Sequence, residues 1–333
     1  MKNYVAAFIT LLGSAQLNAQ STAGITGKPD TSYSNYSAYT KTLKSHPNIS
    51  LVPEYKSPAV AEKRAIAYCK AGDRNLLIDA FYPAGAQTKS KVTASAARPA
   101  VVIIHGGGWR SGNRTQHYPL AQRLAALGYV CFTPEYRLST EALYPAAVDD
   151  LKSAIRWVKA HSKEYGVDTS RVAVLGFSAG GELAAFLGTT GGMPRFEGGG
   201  CEKDHSTTVQ AIVDLDGTLS FVHPETGEGD DSKSTSAGTY WFGYSKKDNP
   251  DLWKDASPLT HAGPNTPPTL FINSSVARMH AGREDYRALL DRHGIYSEVR
   301  SFDEAPHSFP LFHPWFEPMV KYTDDFLKKV LKK

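Results

Sequence analysis

An α/β fold with a mostly parallel central sheet is predicted by three features of the 333-residue sequence. Pro99–Ile104, Arg171–Leu175 and Val209–Val213 are short apolar runs of the kind that strands covered on both faces require. Helix-compatible segments alternate with them, and that alternation is how parallel neighbours are joined, with helices on both faces. Between two of the runs, Val148, Leu151, Ile155 and Val158 recur at helical spacing and make one apolar stripe.

The remaining elements fit this frame. Met1-Lys2, the apolar run Val5–Leu12 and small residues up to Ala19 read as a secretory leader over 1–20. Residues 21–55 are rich in Ser, Thr, Tyr and Lys without periodicity, and are expected to be an extended arm lying on the domain or partly disordered. Ala65–Tyr68 and Leu76–Tyr82 read as two strands joined through Ala71-Gly72-Asp73, an antiparallel start to the sheet. A helix over Leu120–Leu127 and a strand at Tyr129–Phe132 precede the striped helix. Residues 218–265 mix Gly, Pro, Ser and Asp with Phe221, Trp241, Phe242 and Trp253, and read as a lid-like insert. A strand at Pro268–Asn273, a helix over Gly282–His293 closed by Gly294, a strand at Tyr296–Phe302 and a helix from Trp315 complete one domain over 56–333.

Bulk composition narrows the chemistry. A formal charge of +4 with scattered Lys and Arg offers no nucleic-acid stripe, and no run after the leader is long enough to span a bilayer. The terminal lysines suit a helix C-terminus. Three cysteines at wide spacing are no disulfide framework: Cys131 lies in an apolar strand, and a Cys69–Cys201 bridge is open but not required. No Cys/His spacing suggests zinc, so neither metal nor cofactor is expected. The oligomeric state leaves no trace in the sequence.

The chemistry centres on Gly176-Phe177-Ser178-Ala179-Gly180-Gly181, between a strand and good helix formers. G-x-S-x-G there presents a serine on a tight turn, and the glycines leave room for it. Such a serine needs a base, and His307, in Pro306-His307-Ser308-Phe309 after the last strand, holds the expected place. His313 lies in an aromatic run and reads as packing. The reaction also needs donors for an oxyanion, and His105-Gly106-Gly107-Gly108-Trp109 supplies bare amides after a buried strand. Gly107 and Gly108, with the amide of Ala179, form that expected set. His105 reads as a structural hydrogen-bonder. Asp149, Asp150 and Asp168 read as helix-start and turn residues.

On these motifs, residues 60–331 resemble the α/β-hydrolase superfamily, in particular the HGGG-type esterase/lipase branch that contains acetyl and feruloyl esterases of plant polysaccharides. Phe271–Ser275, Arg278–Arg283 and Phe312–Phe316 look like a subgroup of exported hydrolases associated with pectin-degrading systems. The resemblance implies a serine esterase acting on an acetyl or other small ester of a polysaccharide. In one respect the chain departs from the pattern. The family usually places its acid after the strand before last, and Asn273–His280 contains no carboxylate. Asp216 is the leading substitute, at the end of the preceding strand, with Asp214, Asp285, Asp303 and Glu304 as alternatives. The vacated loop offers Arg278, His280 and Arg283 to a uronate carboxylate or ester carbonyl, and Trp109 and Trp241 are candidates to stack on a sugar. A serine peptidase of the same fold and a non-catalytic binding protein are the competing readings, the second resting on the missing acid.

Overall fold

The computed structural model describes residues 19–85 and 97–332. The predicted leader lies outside the described residues except for Ala19 and Gln20. In chain order the strands are β1 (Ser50–Leu51), β2 (Val60–Ala71), β3 (Arg74–Pro83), β4 (Arg98–Ile104), β5 (Val130–Pro134), β6 (Val167–Phe177), β7 (Ala211–Leu215), β8 (Thr269–Asn273), β9 (Ser297–Ser301) and β10 (Phe312–His313). The helices are α1 (Asn35–Thr42), α2 (Tyr118–Ala126), α3 (Ala146–Ala160), α4 (Ser162–Tyr165), α5 (Ala179–Thr189), α6 (Ala237–Phe242), α7 (Pro250–Asp255), α8 (Pro258–His261), α9 (Arg283–Arg292) and α10 (Phe316–Val330).

Eight strands form the central sheet in the order β2-β3-β5-β4-β6-β7-β8-β9. β2, β3 and β5 pair antiparallel, and every pairing from β5 through β4 to β9 is parallel. Strand alternation divides the core between the two faces. Val102, Val174 and Ile212 point to one side, with Leu151 and Ile155 of α3 and Leu183 of α5. Their neighbours Val101, Ala173 and Val213 point to the other, with Leu124 of α2 and Met319 and Phe326 of α10. The predicted stripe of α3 is buried throughout. α5 is buried on all sides because it runs behind the site.

Two segments carry more structure than the sequence pattern shows. The N-terminal segment is not merely extended. Ser34 and Ser37 cap α1 reciprocally, Ala38 and Ile49 pack on Leu311 and Phe312, and β1 pairs with β10. Serine-for-serine capping has none of the acidic signature that marks a helix start in sequence. The 218–265 insert is fastened down rather than loose: Phe221, Trp241, Phe242 and Trp253 are fully buried in one aromatic cluster. Burying four such rings stabilises the insert by several times the roughly 2 kcal/mol of one aliphatic side chain.

Cys69 of β2 is disulfide-bonded to Cys201 in the glycine-rich loop after α5, and Cys131 is a buried thiol. Among the described residues no helix is long and apolar enough to cross a membrane.

Candidate active site

The site lies at the carboxyl ends of β4, β6, β7 and β8, where open α/β sheets form their binding crevice. β6 ends at Phe177, and α5 begins at Ala179. Ser178 joins them with φ 58° and ψ −121°. The turn is so tight that a side chain at Gly176 would have its Cβ 1.8 Å from Gly180 O. Ser178 N–H donates to Leu215 O at 2.8 Å, which ties the serine to the end of β7. Asp216 follows immediately, with φ 55°. Trp109, Ser178 and Asp216 are three of the five described non-glycine residues with positive φ. Left-handed backbone at such residues is uncommon and persists where the surroundings over-determine it.

The three polar side chains form one hydrogen-bonded line. Ser178 Oγ–H donates to His307 Nε2 at 2.8 Å. His307 Nδ1–H donates to Asp216 Oδ2 at 2.9 Å. Asp216 Oδ1 accepts from Ser274 N–H at 2.8 Å and Asn273 Nδ2 at 3.3 Å. Asn273 is held in turn by Arg283, whose Nη1 donates to Asn273 Oδ1 at 2.7 Å. Burial alone would push the Asp216 carboxyl up; the His280 and His307 side chains and Ser274 outweigh it and hold the group well below the usual carboxylate range.

The other carboxylates stand elsewhere. Asp214 lies under the turn and accepts from Gly217 N–H at 2.6 Å. Its burial, with Asp216 nearby, pushes its pKa well up. Asp285 is exposed, 3.5 Å from His223. Asp303 and Glu304 are exposed in the turn before His307 and make no hydrogen bond to it.

The glycine loop lines the same space as Ser178. Gly107 has φ 126°, and a Cβ there would lie 1.9 Å from Ser111 O, so only glycine fits. The amides of Gly107, Gly108 and Ala179 have no acceptor among the described residues. Gly106 N–H is satisfied by Gln116 Oε1 at 2.8 Å, which fastens the loop from behind. His105 stacks on Tyr136, its Nδ1–H donating to Gly106 O. Burial lowers its pKa to about 4, so it is neutral and structural.

Several substrate-binding expectations need correction. Trp109 is only 3% exposed, stacked on Trp241 and hydrogen-bonded through Nε1 to Glu182. Trp241 is fully buried, and Trp109 lines the recess beside Ser178 with little of its ring exposed, so neither is placed as an open stacking platform for a sugar. His280 is mostly buried, with Nε2 3.5 Å from Asp216 Oδ1, and Arg283 is engaged by Asn273 and Glu284; both back the acid instead of facing substrate. Arg278 alone of that loop's cations lines the space beside Ser178. Glu228, from the insert, was invisible to sequence reasoning: it lies 3.8 Å from Arg278, and no local pattern marks it.

Two spaces meet at Ser178. A recess of about 30 Å³ is lined by Gly108, Trp109, Ala179, Thr218, Glu228, Arg278 and Met279. A wider cleft of about 460 Å³ opens past His307 toward the N-terminal segment. Among the described residues no group of His, Cys, Asp and Glu is placed to hold a metal ion.

Residues 88–278 match the BD-FAE family model. The chain belongs to the BD-FAE family. This BD-FAE chain is 32% identical over 215 residues to a probable carboxylic ester hydrolase, LipM, of Mycobacterium tuberculosis, covering 62% of itself and 46% of that protein. It is 27% identical to esterase LipQ of the same organism, covering 84% of itself and 65% of LipQ. It thus spans about half the length of the first two curated relatives it matches. A truncated carbohydrate esterase from gut microbiota superposes with a TM-score of 0.70 at 22% identity, over 84% of this chain and 99% of that one. Butyrate-bound esterase 2 of Thermogutta terrifontis superposes at 0.64 with 24% identity, over 82% and 95%. At these identities the likeness is one of fold, the α/β-hydrolase fold.

Proposed function

We propose that this protein is an exported serine esterase that removes small acyl groups, acetyl foremost, from a plant polysaccharide. The observation that carries the reading is the line Ser178 Oγ, His307 Nε2, His307 Nδ1, Asp216 Oδ2. In this reading Ser178 Oγ attacks the ester carbonyl while its proton passes to His307 Nε2. The carbonyl oxygen becomes an oxyanion facing the amides of Gly107, Gly108 and Ala179, each of which contributes about 3 kcal/mol to the transition state. Collapse expels the alcohol, which takes the proton from His307 and leaves an acyl group on Ser178. Water then repeats the sequence, losing its proton to His307 and releasing the acid. Asp216 stays ionised and holds His307 in the tautomer that presents Nε2 to Ser178.

The small recess beside Ser178, about 30 Å³, supports a short acyl group. The hydroxyl-lined cleft supports a sugar as the alcohol. Arg278 beside Ser178 favours an acidic polysaccharide such as pectin. The Cys69–Cys201 bridge and the leader-like N-terminus support export, since disulfides persist in oxidising compartments. Against a non-catalytic protein, the hydrogen bond from His307 Nδ1 to Asp216, at the end of β7, supports Asp216 as the acid that the loop after β8 lacks.

The test is acetate release from a panel of acetylated polysaccharides, together with hydrolysis of 4-nitrophenyl acetate. Ser178→Ala is expected to lose both activities and its labelling by a fluorophosphonate. A Ser178→Ala protein that turns over at the original rate rejects the assignment.

A further inference from the structure

The wide cleft beside Ser178 has a wall that does not belong to the sheet domain. Tyr33 and the last turn of α1, with Lys41 and Thr42, line it together with Ser45 just beyond. This wall is fixed in place. Gly112 N–H donates to Asp30 O at 3.0 Å, Asn35 Nδ2 donates to Gln116 O at 2.9 Å, and β1 pairs with β10. Tyr33 Oη stands 3.5 Å from the hydroxyl of Ser308, the residue after His307.

The lining has a definite chemistry. Besides that of Ser178, its hydroxyls come from Tyr33, Thr42, Ser45, Ser111 and Ser308, and its aliphatic side chains are Ala38 and Pro306. Its charged groups are Lys41 and Arg278, with no carboxylate among its residues. Lys41 is exposed at the C-terminal end of α1, where a cation also suits the helix dipole. Arg278 meets Glu228 from the neighbouring recess at 3.8 Å, a separation that leaves most of its five donors open. A hydroxylated ligand bearing a carboxylate finds hydroxyl partners and two cations.

We propose that Lys41 of the N-terminal segment and Arg278 of the loop after β8 form an anion subsite. It takes the carboxylate of an acidic sugar unit joined to the esterified one, and makes the N-terminal segment a specificity element. The proposal rests on the esterase reading only in treating the wide cleft as the alcohol side; the binding it describes needs no turnover.

The experiment is a calorimetric titration of the full chain with a trimer of galacturonic acid and with a neutral trimer of xylose, neither carrying an ester. The acidic trimer is expected to bind about tenfold more tightly, and to lose that margin between about 0.02 and about 0.5 M salt. Lys41→Gln and Arg278→Gln are each expected to narrow the margin about fivefold. Equal binding of the two trimers, or a margin that survives both salt and Lys41→Gln, overturns the subsite. Hydrolysis of 4-nitrophenyl acetate by the same preparation reports on the esterase separately. A protein that hydrolyses it but binds the trimers equally loses only the subsite. One that binds the acidic trimer without hydrolysing the ester keeps the subsite and loses the esterase reading.

Discussion

His280 Nε2 lies 3.5 Å from Asp216 Oδ1, the carboxylate oxygen that His307 does not use. That nitrogen is buried and has no other partner, at the outer limit of a hydrogen bond. The loop after β8 therefore supplies no carboxylate of its own, and instead steadies one from β7 through His280, Asn273 and the Ser274 amide. His280→Ala is expected to lower kcat about tenfold with KM for 4-nitrophenyl acetate little changed, the size of one hydrogen bond to a charged group. An unchanged kcat reduces His280 to packing.

Asp216→Asn removes the charge that holds the His307 tautomer while keeping the shape. The expected loss is about 10³- to 10⁴-fold in kcat. Because Asp216 is held well below the usual carboxylate range, it does not titrate where an imidazole does. The acid limb of kcat/KM should therefore fall with a slope of one. A slope of two shows a second group titrating on the same limb.

The recess sets a limit on acyl length. Butyrate esters are expected to turn over at least about 100-fold less efficiently than acetates, given one to two decades for a misplaced methylene in a closed pocket. Met279→Ala enlarges the recess and is expected to raise the butyrate-to-acetate ratio of kcat/KM about tenfold. Equal efficiency across chain lengths in the unmodified protein removes the recess from the acyl role.

Glu182, on the nucleophile helix α5, and Asp214, under the turn, are buried, and burial pushes both well above the ordinary carboxylate range. Folding therefore favours their protonated forms, and unfolding releases them toward ionisation. Above the unfolded-state pKa the unfolded chain binds fewer protons, so this pair makes stability fall as pH rises. Glu182→Gln keeps an acceptor for Trp109 Nε1 and removes one such proton. Its stability relative to the original protein is expected to be higher at pH ~8 than at pH ~5, by up to about 1.4 kcal/mol per pH unit. Urea unfolding at the two pH values measures it; equal margins refute the protonated state.

The Cys69–Cys201 bridge closes a loop across 132 residues of sequence. The double replacement by serine, or reduction by dithiothreitol, is expected to cost about 2–5 kcal/mol of stability. Thermal unfolding with and without reductant checks this, and coincident curves argue that the bond is absent in solution.

The sequence by itself determined what depends on neighbours along the chain. Runs that must be buried on both faces became β4, β6 and β7, and the stripe of α3 became its buried face. The turn at Ser178 and the glycine loop at Gly107 are legible because close backbone approach restricts which residues fit. Tertiary structure decided what depends on groups far apart in sequence. Asp216 stands out from Asp214, Asp285, Asp303 and Glu304 only once β7 and the His307 loop lie side by side. Trp109, His280 and Arg283 looked available for substrate because exposure is not written in a local pattern; each proved covered by a distant residue. The helix of the N-terminal segment was missed because its serine caps carry a weak signal. Its place as a wall of the cleft, like the pairing of Cys69 with Cys201, exists only after the chain has closed around the sheet.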